Sequence, residues 1–209
     1  MSYAVKEVYL TLQGEGAQTG RAAVFLRFAG CNLWSGREAD RSSAICQFCD
    51  TDFVGVDGPG GGRFADAASL ARHVQSFWPG GGKPYVICTG GEPALQLDRS
   101  LIDAFHEQGF DVGIETNGTL DLPAGIDWIC VSPKAGSQVV VRRGHELKLV
   151  YPQTGAEPER FSDWDFQHFF LQPMDSPAQD ENIALATDYC RRNPAWRLSL
   201  QTHKLIGIP

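Results

Sequence analysis

Residues 85–93 read Tyr-Val-Ile-Cys-Thr-Gly-Gly-Glu-Pro, an apolar run that ends in two glycines, an acid and a proline. Its aromatic and β-branched start predicts a strand, and the continuous apolar character predicts cover on both faces, as in a parallel sheet. Six more runs of this kind begin at Ala22, Asp111, Asp127, His145, His168 and Trp196. Seven strands therefore form the frame of the predicted fold.

Helical patterns lie between some of these runs. Apolar residues recur at three- and four-residue spacing over residues 64–78, and the same spacing returns over residues 101–105. A third helix is predicted from its start signal, in which Ser176 is the N-cap, Pro177 takes the first helical position and Gln179 completes a capping box.

The alternation of strands and helices predicts an α/β fold with a parallel sheet. Helical patterns are missing between Ser132 and Ser162, which predicts a partial, incomplete parallel β/α barrel rather than a full eight-fold barrel. A length of 209 residues and a hydrophobic content of 43% fit one domain with one sizeable core, spanning residues 1–209.

Net charge and hydropathy exclude some classes of partner. The formal net charge is −7 and the basic residues are scattered, so nucleic acid is not expected to bind. Residues 1–16 have no long apolar stretch behind a basic opening, and no run reaches the length of a membrane span. We expect no membrane partner and a cytoplasmic protein.

Six cysteines without a secretion signal indicate metal binding or redox chemistry rather than a disulfide framework. Fourteen residues separate Cys31 from Cys46, and two separate Cys46 from Cys49. The close pair can direct both thiolates toward one centre, and the long loop over residues 31–49 returns the third. Three thiolates on a four-iron cluster leave one iron without a protein ligand, as is needed when a cosubstrate binds to iron.

Two other interpretations of these cysteines stay open at this point. A zinc site normally has a fourth protein ligand, but the nearest histidine, His73, lies far downstream in a predicted helix. The pair Cys46–Cys49 alone could be a thioredoxin-like dithiol. Cys88, Cys130 and Cys190 lie in strand or helix patterns and are expected to be small buried hydrophobes.

Polar residues gather where the predicted strands end. The C-terminal edge of a parallel sheet is where function collects in α/β architectures. That edge would carry residues 89–92, 115–117, 132–134, 172–175 and 201–203. We therefore expect a binding site there.

With these motifs in place, the chain resembles the radical S-adenosylmethionine superfamily, whose members combine three clustered cysteines with a Gly-Gly-Glu-Pro motif after the second strand. That motif is here residues 90–93. The long cysteine loop, where the superfamily commonly has a short one, is similar to a subgroup, the 7-carboxy-7-deazaguanine synthases. Further matches cover nearly the whole chain: TLQGEG from Thr11, FLRFAGCNLW from Phe25, CDTDF from Cys49, ETNG from Glu115, CVSPK from Cys130, LQPMD from Leu171, and QTHK from Gln201 with Pro209 last.

The resemblance implies roles for individual residues. It implies a [4Fe–4S] cluster on Cys31, Cys46 and Cys49, with Thr51 as a ligand of Mg²⁺. The residues implied for S-adenosylmethionine are Gly90, Gly91, Ser132, Pro133, Lys134, Gln172, Pro173, Met174 and Asp175. Those implied for the substrate are Leu12, Gln13, Gly14, Arg27, Thr89 and Pro209, with Glu15 as a further candidate.

Each of these functional roles has a purely structural alternative. These alternatives are a surface ion pair for Arg27, ordinary turns for Gln13, Gly14 and Thr51, proline-punctuated loops for residues 132–134 and 172–175, and a frayed terminus for Pro209. His203 and Glu115 could move protons during the reaction or could make structural hydrogen bonds.

The resemblance also implies a reaction, the ring contraction of 6-carboxy-5,6,7,8-tetrahydropterin to 7-carboxy-7-deazaguanine with loss of ammonia, in queuosine and 7-deazapurine biosynthesis. An electron entering the cluster would cleave S-adenosylmethionine to a 5′-deoxyadenosyl radical, which takes a hydrogen from C6 of the pterin. A reductant protein such as a flavodoxin or ferredoxin would supply the electron, and a homodimer is expected.

Two other functions are compatible with parts of the sequence. A radical S-adenosylmethionine activase would generate a glycyl radical on a partner protein, and it would be expected to use the short cysteine spacing and a protein-docking surface. A zinc-binding interaction module would have no catalytic activity. Iron content distinguishes the second from the first.

Overall fold

The computed structural model describes residues 2–209 of the chain. The strands are β1 (Tyr3–Leu12), β2 (Ala22–Phe28), β3 (Gly62–Phe64), β4 (Tyr85–Gly90), β5 (Asp111–Thr116), β6 (Trp128–Val131), β7 (Arg143–Tyr151), β8 (Asp165–Pro173) and β9 (Trp196–Leu198). The α-helices are α1 (Ala67–Gln75), α2 (Arg99–Glu107), α3 (Gln179–Arg192) and α4 (Thr202–Ile206). Short 3₁₀ turns cover Gly16–Gln18, Glu38–Ser43, Pro93–Leu95 and Pro158–Phe161.

Within residues 2–209 the strands form one nine-stranded sheet, in the order β3-β1-β2-β4-β5-β6-β7-β8-β9. From β2 through β9 each neighbouring pair is parallel. Because β3 and β9 are the two edges, the sheet is open and forms a partial barrel. The predicted fold class is confirmed, and each of the seven predicted strands is present.

Strands β1 and β3 add an antiparallel edge that the sequence patterns did not predict. β1 pairs antiparallel with both β2 and β3. Its sequence YAVKEVYLTL mixes buried apolar residues with polar ones, as is common for a strand with one face turned to water. This edge extends the sheet on the side that leads into residues 13–16.

Helices α1 and α2 pack on the outer face of the sheet. Both begin at an aspartate whose carboxylate accepts a backbone N–H, from Ser69 to Asp66 and from Leu101 to Asp98. The apolar stripe of α2 is fully buried, including Leu101, Ile102 and Phe105. Burying one such side chain contributes about 1.5–3 kcal/mol, so this face holds the helix on the sheet.

The predicted start of the third helix is wrong in its details. Helix α3 begins at Gln179, and its N-cap is Ala178, which has no side chain able to cap. The Ser176 hydroxyl instead accepts hydrogen bonds from the Ala178 amide at 3.2 Å and the Asn182 side chain at 3.1 Å. Ser176 therefore shapes the turn before the helix and does not cap it.

Residues 13–16, which follow β1, contact the segment that follows β9. The Thr202 amide donates to the Gly14 carbonyl at 2.9 Å, and the Gly16 amide donates to Ser199 Oγ at 2.9 Å. This segment thus joins the end of the first strand to the end of the last. In the part of the chain that the structure describes, each helix is too short or too polar to cross a bilayer.

Candidate active site

The parallel strands end at a cavity of about 890 Å³. The predicted site residues that line it are Leu12, Gln13, Gly14, Arg27, Cys31, Cys46, Cys49, Thr51, Thr89, Gly90, Gly91, Ser132, Lys134, Gln172, Pro173, Met174, Asp175 and Pro209. Pro133 lies instead on the wall of a second cavity, of about 550 Å³. The fold therefore collects residues from both ends of the chain around one space.

The three clustered cysteines face this cavity, and all three are free thiols. A hydrogen bond from Cys46 to the Cys49 sulfur lowers the pKa of Cys49 to about 6 and raises that of Cys46. Burial raises the pKa of Cys31. Among residues 2–209, no three Cys, His, Asp or Glu side chains converge where a single ion could sit. The thiolates of a four-iron cluster bind separate irons, so they need to face one cavity rather than meet at a point.

The turn at residues 90–92 lies directly against the segment before Cys31. The Glu92 amide donates to the Gly30 carbonyl at 2.9 Å. A Cβ on Gly91 would lie 2.2 Å from the same Gly30 oxygen, closer than real contacts allow. Only glycine permits two backbones to approach this closely, so the motif and the first cysteine are held as one unit.

Glu92 is fully buried and connects this turn to the end of β5. Its carboxylate accepts hydrogen bonds from the Ala94 amide at 2.9 Å, the Thr116 hydroxyl at 2.7 Å and the Asn117 amide at 2.8 Å. Burial raises the pKa of Glu92, and these three donors oppose the rise. The Asn117 side chain then donates to Asn32, the residue after the first cysteine, at 2.9 Å.

Lys134 places a half-buried cation beside the cysteines. Its Nζ donates to both the carbonyl and the hydroxyl oxygen of Ser132, each at 2.7 Å. Burial lowers the pKa of Lys134, although the neighbouring sulfurs of Cys46 and Cys49 oppose this. These bonds fix the ammonium group between the end of β6 and the thiols.

A charge network around Lys148 lies deeper in the cavity. Lys148 Nζ is 2.6 Å from Glu15 Oε2 and 2.8 Å from Glu115 Oε2, with 6% of the lysine side chain exposed. Burial raises the pKa of Glu15, but Lys148, Gln201 and His203 together outweigh it and lower that pKa to about 2. Gln13 joins the network by donating to Glu115 at 3.1 Å. The cavity floor is thus a set of paired charges.

Arg27 makes the ion pair that was its plainer alternative, and it also lines the cavity. Its Nε donates to the Glu7 carboxylate at 2.7 Å, and its Nη2 donates to the Tyr9 hydroxyl at 3.0 Å. The strand register sets Arg27 next to Thr89 on β4. The second strand and its neighbour thus carry a cation and a hydroxyl at one wall of the cavity.

Comparison with known proteins now identifies the family. The pattern of the Radical SAM superfamily matches residues 41–150. A 7-carboxy-7-deazaguanine synthase from Bordetella pertussis is 65% identical over 100% of both chains, and one from Bradyrhizobium diazoefficiens is 64% identical over 100% of both. The chain belongs to the 7-carboxy-7-deazaguanine synthases of the radical SAM superfamily. The crystal structure of QueE from Escherichia coli matches with a TM-score of 0.70 and 26% identity, over 97% of this chain and 95% of that one.

Membership in this synthase family makes the chain a radical S-adenosylmethionine enzyme with a [4Fe–4S] cluster and S-adenosylmethionine as cofactors. The cavity is lined by three thiols and by the bare backbone of two glycines, which fit these groups. The resemblance drawn from the motifs is therefore confirmed at the level of family, enzyme class and these cofactors.

The C-terminal residues of the synthase close one side of the cavity. The backbone oxygen of Pro209 accepts a hydrogen bond from the Thr11 hydroxyl at 2.7 Å. Lys204 Nζ bridges Asp50, beside Cys49, at 2.8 Å and Asp175, after β8, at 2.5 Å. The final residues of the synthase are thus tied to its first strand, its cysteine loop and the end of β8.

Several residues of this site were missed by the motif comparison. Lys148 is the clearest, and Glu92, although part of the glycine motif, was given no role; each joins elements that are far apart in sequence. Lys148 lies inside the apolar run HELKLV, where a lysine at an inward position of a parallel strand was an available signal. Cys88 and Cys130 are fully buried in β4 and β6, as predicted for structural cysteines, whereas Cys190 on α3 is only half-buried.

Proposed function

We propose that this chain converts 6-carboxy-5,6,7,8-tetrahydropterin to 7-carboxy-7-deazaguanine and ammonia, within queuosine and 7-deazapurine biosynthesis. The observation that carries the proposal is the convergence of the cysteines, the glycine motif and the terminal carboxylate on one cavity of about 890 Å³. That volume is in the range of small-molecule sites. Full-length relatives bear the name of this activity.

In this proposal Cys31, Cys46 and Cys49 bind the cluster. Their three sulfurs are soft donors that suit iron–sulfur ligation, and three protein ligands leave one iron for the cosubstrate. When bound, the cluster and S-adenosylmethionine supply the radical chemistry. The chain's own contribution is to hold the cavity shape and to keep the Lys134 cation beside the thiolates.

S-adenosylmethionine is assigned to the strand ends between the cysteines and β8. The residues proposed to hold it are Gly90, Gly91, Ser132, Pro133, Lys134, Gln172, Pro173, Met174 and Asp175. Backbone without side chains at Gly90 and Gly91 leaves N–H and C=O groups available for the amino acid part. Pro133 faces the second cavity, so its part would be to fix the backbone of the loop.

The pterin is assigned to the wall and floor built from β1, β2 and the chain terminus. The residues proposed to hold it are Leu12, Gln13, Gly14, Arg27, Thr89 and Pro209. Arg27 offers a cation to the substrate carboxylate, and the Pro209 carboxylate can accept N–H donors of the guanidine-like edge. Burial lowers the pKa of His203 on the same cavity, so its neutral ring can accept a proton at neutral pH.

Magnesium and the protein partners complete the proposal. The hydroxyl of Thr51 lies 3.4 Å from an Asp50 carboxylate oxygen and faces the cavity, and Mg²⁺ is a hard cation that takes few protein oxygens. We further propose a flavodoxin or ferredoxin as the reductant, a homodimer, a single catalytic domain over residues 1–209 and a cytoplasmic location.

The test is anaerobic reconstitution with iron and sulfide, then incubation with reductant, S-adenosylmethionine and the carboxylated tetrahydropterin. We expect about four irons per chain, and the deazaguanine acid by mass spectrometry. Cys31→Ala, Cys46→Ala and Cys49→Ala should each lose most iron and all product, whereas Cys190→Ala on α3 should keep both. A colourless protein refutes the cluster assignment. Cosubstrate cleavage without the acid product refutes the substrate.

A further inference from the structure

The long loop between the first two cluster cysteines is folded around one arginine. Residues 38–43 form a 3₁₀ turn, and Arg41 within it sends its side chain back to the Cys46–Cys49 segment. Arg41 Nη1 donates to the Gln47 carbonyl and to the Cys49 carbonyl, both at 3.0 Å. One guanidinium thus binds the carbonyl groups of the residues on either side of residue 48.

The guanidinium is itself fixed from two other directions. Its Nε and Nη2 form a bidentate pair with the Glu38 carboxylate, at 2.7 and 2.5 Å. Its Cζ lies 4.0 Å from the ring centroid of Trp34, which is buried and packs edge-on against Phe53. Stacking and bidentate pairing hold an arginine in one plane, so little freedom remains to its donors.

The segment that Arg41 holds has little other support. No helix or strand covers residues 44–61. On the N-terminal side of the segment, the amides of Ile45 and Cys46 both donate to the Leu33 carbonyl, at 3.1 and 3.3 Å. The Gln47 and Cys49 carbonyls lie beyond those bonds, and Arg41 is the side chain that ties them to the body of the loop.

We propose that Arg41 is a positioning residue for the cluster: it holds the Cys46 and Cys49 thiolates through the adjacent carbonyls, and its charge, balanced by Glu38, sets the potential at which the cluster accepts an electron. This inference rests on the proposed assignment of the three cysteines to the cluster. A nearby cation stabilises the more negative, reduced cluster, and a nearby carboxylate does the reverse. Arg41 and Glu38 therefore act on the potential in opposite directions.

The experiment uses the anaerobically reconstituted full-length protein and the variants Arg41→Gln, Arg41→Lys and Glu38→Gln. The matched control is Arg37→Gln, an exposed arginine of the same loop whose side chain forms no hydrogen bond or ion pair with the described residues. Three quantities are measured: iron and sulfide per chain, the rate of iron loss to a chelator, and the midpoint potential from a redox titration followed by electron paramagnetic resonance.

Arg41→Gln should lose iron about tenfold faster than the parent, since the lost charged hydrogen bonds amount to at least one factor of ten. Its midpoint potential should move to a more negative value, and that of Glu38→Gln to a more positive one. Arg41→Lys keeps the positive charge, so its midpoint potential should match that of the parent. One ammonium group cannot reach Glu38 and both carbonyls, so this variant should lose iron faster than the parent, as Arg41→Gln does. Arg37→Gln should match the parent in all three measurements.

Parent-like iron loss in both Arg41 variants overturns the positioning role, and shifts of the same sign in Arg41→Gln and Glu38→Gln overturn the role in the potential. If Arg41→Gln fails to fold, parent-like iron loss in Arg41→Lys overturns the positioning role, and an unchanged or more negative midpoint potential in Glu38→Gln overturns the role in the potential. A parent protein without a four-iron cluster contradicts the proposed function instead, so the two failures are distinguishable.

Discussion

Replacing Glu15 by glutamine removes one charge from the network on the cavity floor. The Glu15 carboxylate pairs with Lys148 at 2.6 Å and accepts hydrogen bonds from Gln172 at 3.0 Å and Gln201 at 3.1 Å. Burial raises the pKa of Glu15, but Lys148, Gln201 and His203 lower it from 4.5 to about 2. At 1.36 kcal/mol for each pKa unit, the ionised carboxylate contributes about 3 kcal/mol to the free energy of unfolding at neutral pH.

The pH dependence has a definite sign. A carboxylate whose pKa is lower in the folded than in the unfolded protein stabilises the fold above its unfolded pKa. That stability is lost as the pH falls from the unfolded value of 4.5 toward the folded value of about 2. The difference in unfolding free energy between the parent and Glu15→Gln should therefore be constant at neutral pH and shrink below about pH 4.5.

The assay is urea unfolding of the cluster-free protein, followed by circular dichroism at several pH values. Lys148→Met should cost about 3–5 kcal/mol, because it leaves Glu15 and Glu115 as unpaired buried charges. The double variant should cost less than the sum of the two single changes. As a control, Asp103→Asn breaks an exposed pair with Arg99 and should cost less than about 1 kcal/mol. The reasoning is refuted if Glu15→Gln costs under about 1 kcal/mol at pH 7, or if its cost grows on acidification.

Two further changes test how the cavity is held together. Gly91→Ala sets a Cβ 2.2 Å from the backbone before the first cysteine, so it should cost about 1–3 kcal/mol in urea unfolding and most of the bound iron. The control is Gly80→Ala, whose Cβ meets nothing within 4 Å. It should keep its iron and lower the free energy of unfolding by about 1–2 kcal/mol, because the φ of Gly80 is +89°. Equal iron in both variants contradicts the close-approach argument. Lys204→Met removes the bridge to Asp50 and Asp175, which are half exposed, so stability should change by less than about 1 kcal/mol. Carboxypeptidase should nonetheless remove the C-terminal residues faster than in the parent, and an unchanged rate contradicts the bridge.

The strands were predictable where burial left a local signature. Strands β4 and β5 are apolar over consecutive positions because both faces are covered, and that pattern is visible in the sequence alone. Strand β1 has no such signature, since Lys6, Glu7 and Thr11 interrupt it. Its identity as a strand depends on antiparallel register with β2, which involves residues up to Phe28 and leaves no trace in a short window.

The site residues, like the strands, were predictable only where the sequence carries a local signal. The residues at strand ends could be predicted to meet, because parallel strands bring their C-terminal ends to one edge of the sheet. The partners that fix them could not be predicted. Lys148 meets Glu15 across 133 positions, and Glu92 meets Thr116 through a bond that needs β4 and β5 side by side. Such contacts are decided by topology and register, which no single segment encodes.

The hydrogen bonds already present in the cavity determine how much binding free energy the polar groups of a ligand can add. Throughout residues 2–209, every fully buried side-chain nitrogen or oxygen already has a protein partner. A ligand that takes over the bond from Gln13 to Glu115, or a bond that Glu15 makes with Lys148 or the glutamines, exchanges one hydrogen bond for another. An exchange of equal bonds adds little affinity. A ligand that breaks these bonds without replacing them leaves buried charges unpaired, which costs several kcal/mol. The polar floor therefore disfavours a ligand that breaks these bonds without replacing them, and the stacked rings of Tyr9 and Phe25 give one wall of the cavity an apolar surface.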